Sequence, residues 1–428
     1  MATTQDLSHL IELRRELHRH PEPAWREYYT TARIVEELER LDVDEIHLGP
    51  EGIATDQRAS VPDDPAELDR WADRAREAGA DPELVDRLRD GHTGVVAVLD
   101  RGEGPHVGLR VDIDALFREE SADETHRPAA EGFRSTTGET MHACGHDGHT
   151  TIGIGVIERI RESDFAGRLT VGFQPAEEEA GGGKALARGG HFDDVEYLFS
   201  VHLGLGHPTG EVVAGIDGFL AVANVEVDLF GEAAHAGARP EEGRNAIQAA
   251  AAAIEGLYGI ARHNDGITRV NVGTIEGGSA TNIIAEHVRF QGEVRGETTE
   301  LREYVKERAN TVIESAAAMH DCTAELRYGP EAPSGASDPA LAGVVESVAA
   351  TVDGVDTILP SDRLGGSEDA TYIMEHVQER GGLAAYVGIG TDHPGGHHTA
   401  TFDVDEESIR IGIDVLGGAI ERVASEGV

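Results

Sequence analysis

The stretch MHACGHDGHT sets Cys144, one of only two cysteines in the chain, beside His142, His146, Asp147 and His149. A thiolate among imidazoles is metal-ligand chemistry, yet Cys-x-His alone supplies two donors where zinc patterns need four. A core thiol with polar neighbours would look the same locally. The decision therefore rests on what else converges. Asp112 and Asp114 follow the apolar run HVGLRV; Glu177, Glu178 and Glu179 follow RLTVGFQPA; His202 ends EYLFSV; Asp392, His393, His397 and His398 lie beyond LAAYVGIG. Singly, each has a bland reading. A Glu-Glu-Glu run suits a solvated face, and a histidine at a strand end is commonly a satisfied hydrogen-bonding group. Together they place thiolate, imidazole and carboxylate at the ends of several strands, which points to a metal site.

The elements that must hold these residues are legible in the periodicity. HLIELRREL and TTARIVEELERL repeat apolar residues every three and four positions, as helices do. HVGLRV, RLTVGF, EYLFSV and LAAYVGIG read as strands, alternating with helical segments such as HTTIGIGVIERI. That rhythm predicts an α/β fold with a mostly parallel sheet flanked by helices, and ligands in such sheets bind beyond the carboxyl ends of the strands. A polar stretch at about 50–92 reads as one or two surface helices inserted before the strand GVVAVLD. From about 217 to 329 the rhythm changes to strand, helix, strand, strand, helix, strand, the split βαβ order of a ferredoxin-like α+β domain. The expected organisation is a catalytic domain over 1–216 and 330–428, interrupted by a lid or dimerisation domain over 217–329. Cys322, in HDCTAELRYG, is expected to be a buried strand residue rather than a ligand.

Composition limits the setting. The 428 residues carry 80 acidic and 36 basic side chains, a formal charge of −44, and Lys184 and Lys306 are the only lysines. Such a surface repels nucleic acid and anionic membranes. Its simplest reading is adaptation to high salt, where self-repulsion is screened. Two distant cysteines give no disulfide framework and no thiol redox pair. No apolar run reaches membrane-spanning length, and the opening MATTQDLSHL has neither a basic flank nor an apolar stretch, so a halophilic, cytoplasmic protein is expected.

MHACGHDGHT, GLRVDIDAL, FQPAEEEAGGG, SVHLG, AAHAGARPEEGRNAI and GGSEDATYIM together resemble the cysteine-containing branch of the dinuclear metal aminoacylase and carboxypeptidase family, over about residues 10–423. The resemblance implies that Cys144 bridges two divalent ions, manganese or zinc. Glu178 and His398 would complete one ion and His146 and His202 the other. It implies Glu177 as general base, His235 as an oxyanion donor often supplied by the partner protomer, and Asn282 with Arg295 as the holders of a substrate carboxylate. Asp112-Ile-Asp114 stands where relatives with a bridging carboxylate have His-x-Asp, so both aspartates become orienters of ligands. The helical insertion resembles that of hydrolases of aminobenzoyl-glutamate. The expected activity is hydrolysis of the amide of an N-acyl or N-aroyl amino acid, aminobenzoyl-glutamate-like, by a homodimer with room for a second kind of chain. The alternatives are a hippurate-type hydrolase and a non-catalytic metal-binding chain that supports a catalytic partner. The intact base opposes the latter.

Overall fold

The computed structural model describes residues 7–428; the opening residues, read above for a targeting segment, lie outside them. In chain order, the first unit begins with α1 (Ser8–Arg19), α2 (Tyr28–Arg40), β1 (Glu45–Leu48), α3 (Pro65–Glu77), α4 (Pro82–Arg87), β2 (Val95–Asp100) and β3 (His106–Asp112). It continues through α5 (Arg127–Glu131), α6 (His146–Glu162), β4 (Arg168–Gln174), α7 (Gly183–Ala187), β5 (Tyr197–Leu203), β6 (Glu211–Val213) and β7 (Ile216–Asp217). The second unit holds β8 (Ala221–Phe230), α8 (Ala246–Tyr258), β9 (Thr268–Gly277), β10 (His287–Gly296), α9 (Thr299–Met319) and β11 (Thr323–Ala332). The chain then returns to the first unit with α10 (Pro339–Ala349), β12 (Thr357–Leu359), β13 (Asp362–Arg363), α11 (Thr371–Glu379), β14 (Leu383–Ile389) and α12 (Glu406–Glu426). The units comprise Met1–Asp217, Ala336–Leu364 and Glu368–Val428 in one, and Gly218–Gly335 with Gly365–Ser367 in the other.

The large sheet of the first unit has the order β1-β2-β4-β3-β5-β14-β6-β12. Its central strands β4, β3, β5 and β14 run parallel, and the antiparallel pairings lie toward the edges. Both faces are covered, which explains why these strands read as continuous apolar runs rather than alternating ones. A side chain on Gly153 of α6 would meet Val111 and Phe173, whereas one on Gly172 would meet Leu186 of α7. Phe173 and Gly172 are neighbours on β4, so α6 and α7 cover opposite faces. Helix α6 is buried along most of its length. Gly155 lets it approach α12, since a Cβ there would stand 2.3 Å from Ile413.

The second unit is an antiparallel sheet of order β11-β8-β10-β9 with α8 and α9 packed on it, the ferredoxin-like arrangement. Asn245 caps α8 by accepting from the Ile247 and Gln248 N–H groups, and the Thr298 hydroxyl caps α9. Cys322 lies in this unit's apolar core. It stands just ahead of β11 rather than within it, because the turn after α9, with Asp321 at φ 57, uses up the preceding residues.

Helix α1 is pinned to α6 by a buried charge cluster that the sequence did not reveal. Arg14 Nε lies 2.9 Å from Asp147 Oδ2, and Arg14 Nη2 donates to Asp403 Oδ1 at 2.6 Å. His18 faces carboxylates on both sides, Asp147 at 2.7 Å from Nδ1 and Glu120 at 2.9 Å from Nε2. Both ring nitrogens can donate only if the imidazole is charged. Burial and Arg14 oppose that charge, but Asp147 and Glu120 prevail and the pKa is pushed up to about 9. The folded value lies above the ordinary one. The stabilisation is thus fully present below about pH 6.5 and is lost as pH rises through 9, a swing of about 3 kcal/mol. Denaturant unfolding between pH 6.5 and 10 should therefore show wild type losing stability that His18→Gln does not lose. Parallel pH profiles for the two proteins would contradict this.

Candidate active site

The site grows from the carboxyl ends of the central strands and the first turn of α6. Gly145 adopts φ 88, and a Cβ there would sit 3.3 Å from Val404, so glycine alone fits between Cys144 and His146. Asp114, two residues past β3, binds three groups: His146 Nδ1 at 3.3 Å, the Glu177 N–H at 3.1 Å and the Glu178 N–H at 3.0 Å. The turn carrying the two glutamates is strained, with Ala176 at φ 57, and is held by buried Glu27, which accepts from the Ala176 N–H at 2.8 Å. Asp112 accepts from Arg110 Nη1 at 2.6 Å through one oxygen and from His149 Nδ1 at 2.5 Å through the other. His149 Nε2 accepts from the Leu203 N–H at 2.8 Å, so both of its nitrogens are occupied and the ring is neutral.

Two groups of donor atoms converge on Cys144: His146 with Glu178, and His202 with His397. His202 Nδ1 donates to the Leu203 carbonyl at 2.8 Å, which leaves the lone pair of Nε2 facing Cys144 Sγ at 3.5 Å. A backbone carbonyl that fixes the tautomer in this way is the usual support of a ligating histidine. His146 and His202 thus each present one nitrogen toward the cluster. His398 is more exposed, with its Nε2 3.5 Å from Glu178 Oε2 and its backbone N–H donating to the Ala143 carbonyl. His397 joins the cluster although the resemblance assigned it no role, and its Nε2 lies 3.1 Å from the Leu203 carbonyl oxygen.

The donors fit a divalent cation. His146 Nε2 and Glu178 Oε1 are buried, have no hydrogen-bond partner, and face each other at 3.9 Å. Burial pushes the Glu178 carboxyl up to about 8, with His146 opposing. Burial also pushes the Cys144 thiol well up, with Glu178 and Glu368 adding to the effect. The acidic neighbours Asp112, Asp114 and Glu178 draw a proton onto His146 against the effect of burial. A cation in that place would remove all three penalties, and the mix of thiolate, imidazole and carboxylate suits a borderline transition metal.

Glu177 is 8% exposed, beside the donors. Its pKa is raised well above the carboxylate range by burial first and then by Glu368 and Asp369. Glu368, Asp369, Glu27 and Arg110 are the residues sequence reasoning missed. Tyr386 Oη donates to Glu368 at 3.4 Å. Asp369 is fixed by Gln174 and by the N–H groups of Gly182 and Gly183 at 3.1 and 2.7 Å.

The remaining expected residues belong to the second unit. His235 is exposed, and its Nδ1 accepts from the Gly237 and Ala238 N–H groups at 3.1 Å, so Nε2 carries the proton. The Asn282 carbonyl accepts from the Ala236 N–H at 2.9 Å, which ties the two segments together. Arg295 has Nε and Nη2 on Glu293 at 2.8 and 2.9 Å and Nη1 on Ser367 at 3.2 Å. Its fork is thus already engaged by an acidic neighbour two residues away on the same strand face.

Residues 108–422 match peptidase family M20/M25/M40. The chain belongs to that family. It is 41% identical to indole-3-acetyl-aspartic acid hydrolase of Enterobacter agglomerans over 96% of this chain and 95% of that protein. It is 40% identical to a p-aminobenzoyl-glutamate hydrolase subunit of Escherichia coli over 95% and 94%. Among solved structures, a dinuclear metal binding peptidase of the M20 family from Bacillus subtilis superposes with a TM-score of 0.71 at 25% identity, covering 97% of this chain and 98% of that one. The mixed α/β architecture of this M20 protein matches that neighbour, and the fold is the one the strand pattern predicted.

Proposed function

We propose that this M20 protein is a metal-dependent amidohydrolase that cleaves the amide of an N-acyl amino acid, with an aromatic acyl group joined to glutamate or aspartate. The carrying observation is the convergence of Cys144, His146, Glu178 and His202 around buried, unpartnered donor atoms with Glu177 beside them. Relatives named for indole-3-acetyl-aspartate and p-aminobenzoyl-glutamate support the aromatic acyl and acidic amino acid parts.

In this reading Cys144, shared between the two sites, would hold two divalent ions with Glu178 and His398 for one and His146 and His202 for the other, while Asp114 and Asp112 orient their neighbours. Zinc or manganese held there would supply Lewis acidity and lower the pKa of water. Glu177 takes the proton of the attacking water and passes it to the amine as it leaves. His235 offers Nε2–H to the developing oxyanion. Asn282 and Arg295 hold the substrate carboxylate, for which Arg295 must exchange Glu293 for the ligand.

The proposal extends to a homodimer. Strand β9 is an edge of its sheet, and its exposed Ile275 suits pairing with a second copy. The Escherichia coli relative is one subunit of its hydrolase, which leaves room for a second kind of chain here. Among the described residues no helix is long and apolar enough to cross a membrane. The acidic surface, charge −44, supports a cytoplasmic setting of high salt.

The test is a hydrolysis screen in molar salt with divalent metal supplied, varying acyl and amino acid parts separately. Turnover should favour aromatic acyl conjugates of glutamate or aspartate. Preference for acetyl conjugates, or for conjugates of neutral amino acids, would contradict that specificity.

A further inference from the structure

A cavity of about 230 Å³ opens beside Glu178, lined by Pro23, Arg26, Pro62, Phe117, Glu178 and Glu179 among others. It lies entirely within the first unit and shares Glu178 with the donor cluster. Part of its wall, Ser60, Pro62 and Glu67, comes from the polar insertion ahead of β2. The insertion is thus placed where it can shape a ligand site rather than merely decorate the surface.

Phe117 is the feature that gives this cavity a chemistry. Its side chain is 56% exposed. One exposed aromatic alone would need no explanation. This one is held in place: the Arg26 guanidinium sits 5.2 Å from the ring centroid, and Trp71 of α3 meets the ring edge-on at 6.5 Å. Arg26 is in turn fixed by Glu67, with Nε donating at 2.9 Å. Phe117 also follows Asp114 by three residues, and Asp114 holds the backbone of Glu177 and Glu178. A pre-positioned ring face, two prolines and a cavity big enough for an aromatic ring therefore stand next to Glu178, the chain neighbour of the proposed base Glu177.

The charge of the wall selects further. Arg26 is paired with Glu67, so its charge is not left over for an anionic ligand. A neutral ring therefore suits that wall better than an acyl group carrying its own carboxylate.

We propose that this cavity is the subsite for the aromatic acyl group of the substrate, with Phe117 as its stacking face and the insertion as its outer wall. The identity of the ligand rests on the amidohydrolase reading above; the cavity and its preference for a neutral ring do not. Stacking and apolar contact with one ring correspond to about a tenfold effect on binding or kcat/KM.

Two readouts test it on the full-length protein in high salt. The first is binding of benzamide, with acetamide as control, followed by tryptophan fluorescence, because Trp71 touches Phe117. The proposal predicts a saturable benzamide signal that Phe117→Ala weakens about tenfold or more and Phe117→Tyr preserves. The second is the ratio of kcat/KM for N-benzoyl-glutamate to that for N-acetyl-glutamate, which Phe117→Ala should lower about tenfold or more. A benzamide signal that is absent, or the same in Phe117→Ala, overturns the subsite even if both conjugates are hydrolysed. Phe117-dependent benzamide binding without hydrolysis of either conjugate upholds the subsite and overturns the amidohydrolase reading instead.

Discussion

Glu177→Gln lowers amide hydrolysis by about 100- to 10,000-fold while leaving the fold and the metal donors in place. The side chain is almost wholly buried, and its proton affinity is raised by burial and by Glu368 beside it. Glutamine keeps the shape and even relieves the crowding of carboxylates, so stability should be unchanged or slightly improved. What it lacks is the ability to take a proton from water. The Glu177 backbone N–H still donates to Asp114, which keeps the strained turn and Glu178 where they are. Single-turnover rates of wild type and variant, measured at equal metal content, give the comparison. A variant retaining a tenth of the wild-type rate would remove Glu177 from the base role.

Five of the residues read from sequence share a property: they follow apolar runs. Asp112, Asp114, Glu177, Glu178 and His202 each sit at or just past the end of a central strand, and a parallel sheet brings such positions to one edge. The missed residues have no such marker. Glu27 precedes α2, and Glu368 and Asp369, though inside GGSEDATYIM, sit in the loop before α11 rather than after an apolar run. Among 80 acidic residues, a carboxylate outside a strand end carries no signal of its own. Their burial is visible only once the chain is folded. Phe117 illustrates the same limit, since its partners Arg26 and Trp71 are remote in sequence. The second unit was legible for a different reason: its half-exposed strands β9, β10 and β11 alternate apolar and polar residues, and its helices carry recognisable caps. The occupation of Arg295 by Glu293 was open to inspection, because residues two apart on a strand share a face.

Cys144→Ser separates the metal account from the bland one. In a simple core, exchanging sulfur for a hydroxyl would cost about 1 kcal/mol and change little else. Cys144 is not in a simple core. His202 presents a lone pair to its sulfur, and His146 and Glu178 converge on it from the other side. Serine is far harder to deprotonate and is a poorer donor for zinc-like ions, so loss of the thiolate should release at least one ion and abolish most turnover. The deciding measurement is metal per chain by elemental analysis, for wild type and Cys144→Ser purified and assayed in the same high-salt buffer. The account predicts two ions per wild-type chain falling to one or none in the variant, together with activity. Equal metal content and equal turnover in the two proteins would contradict it.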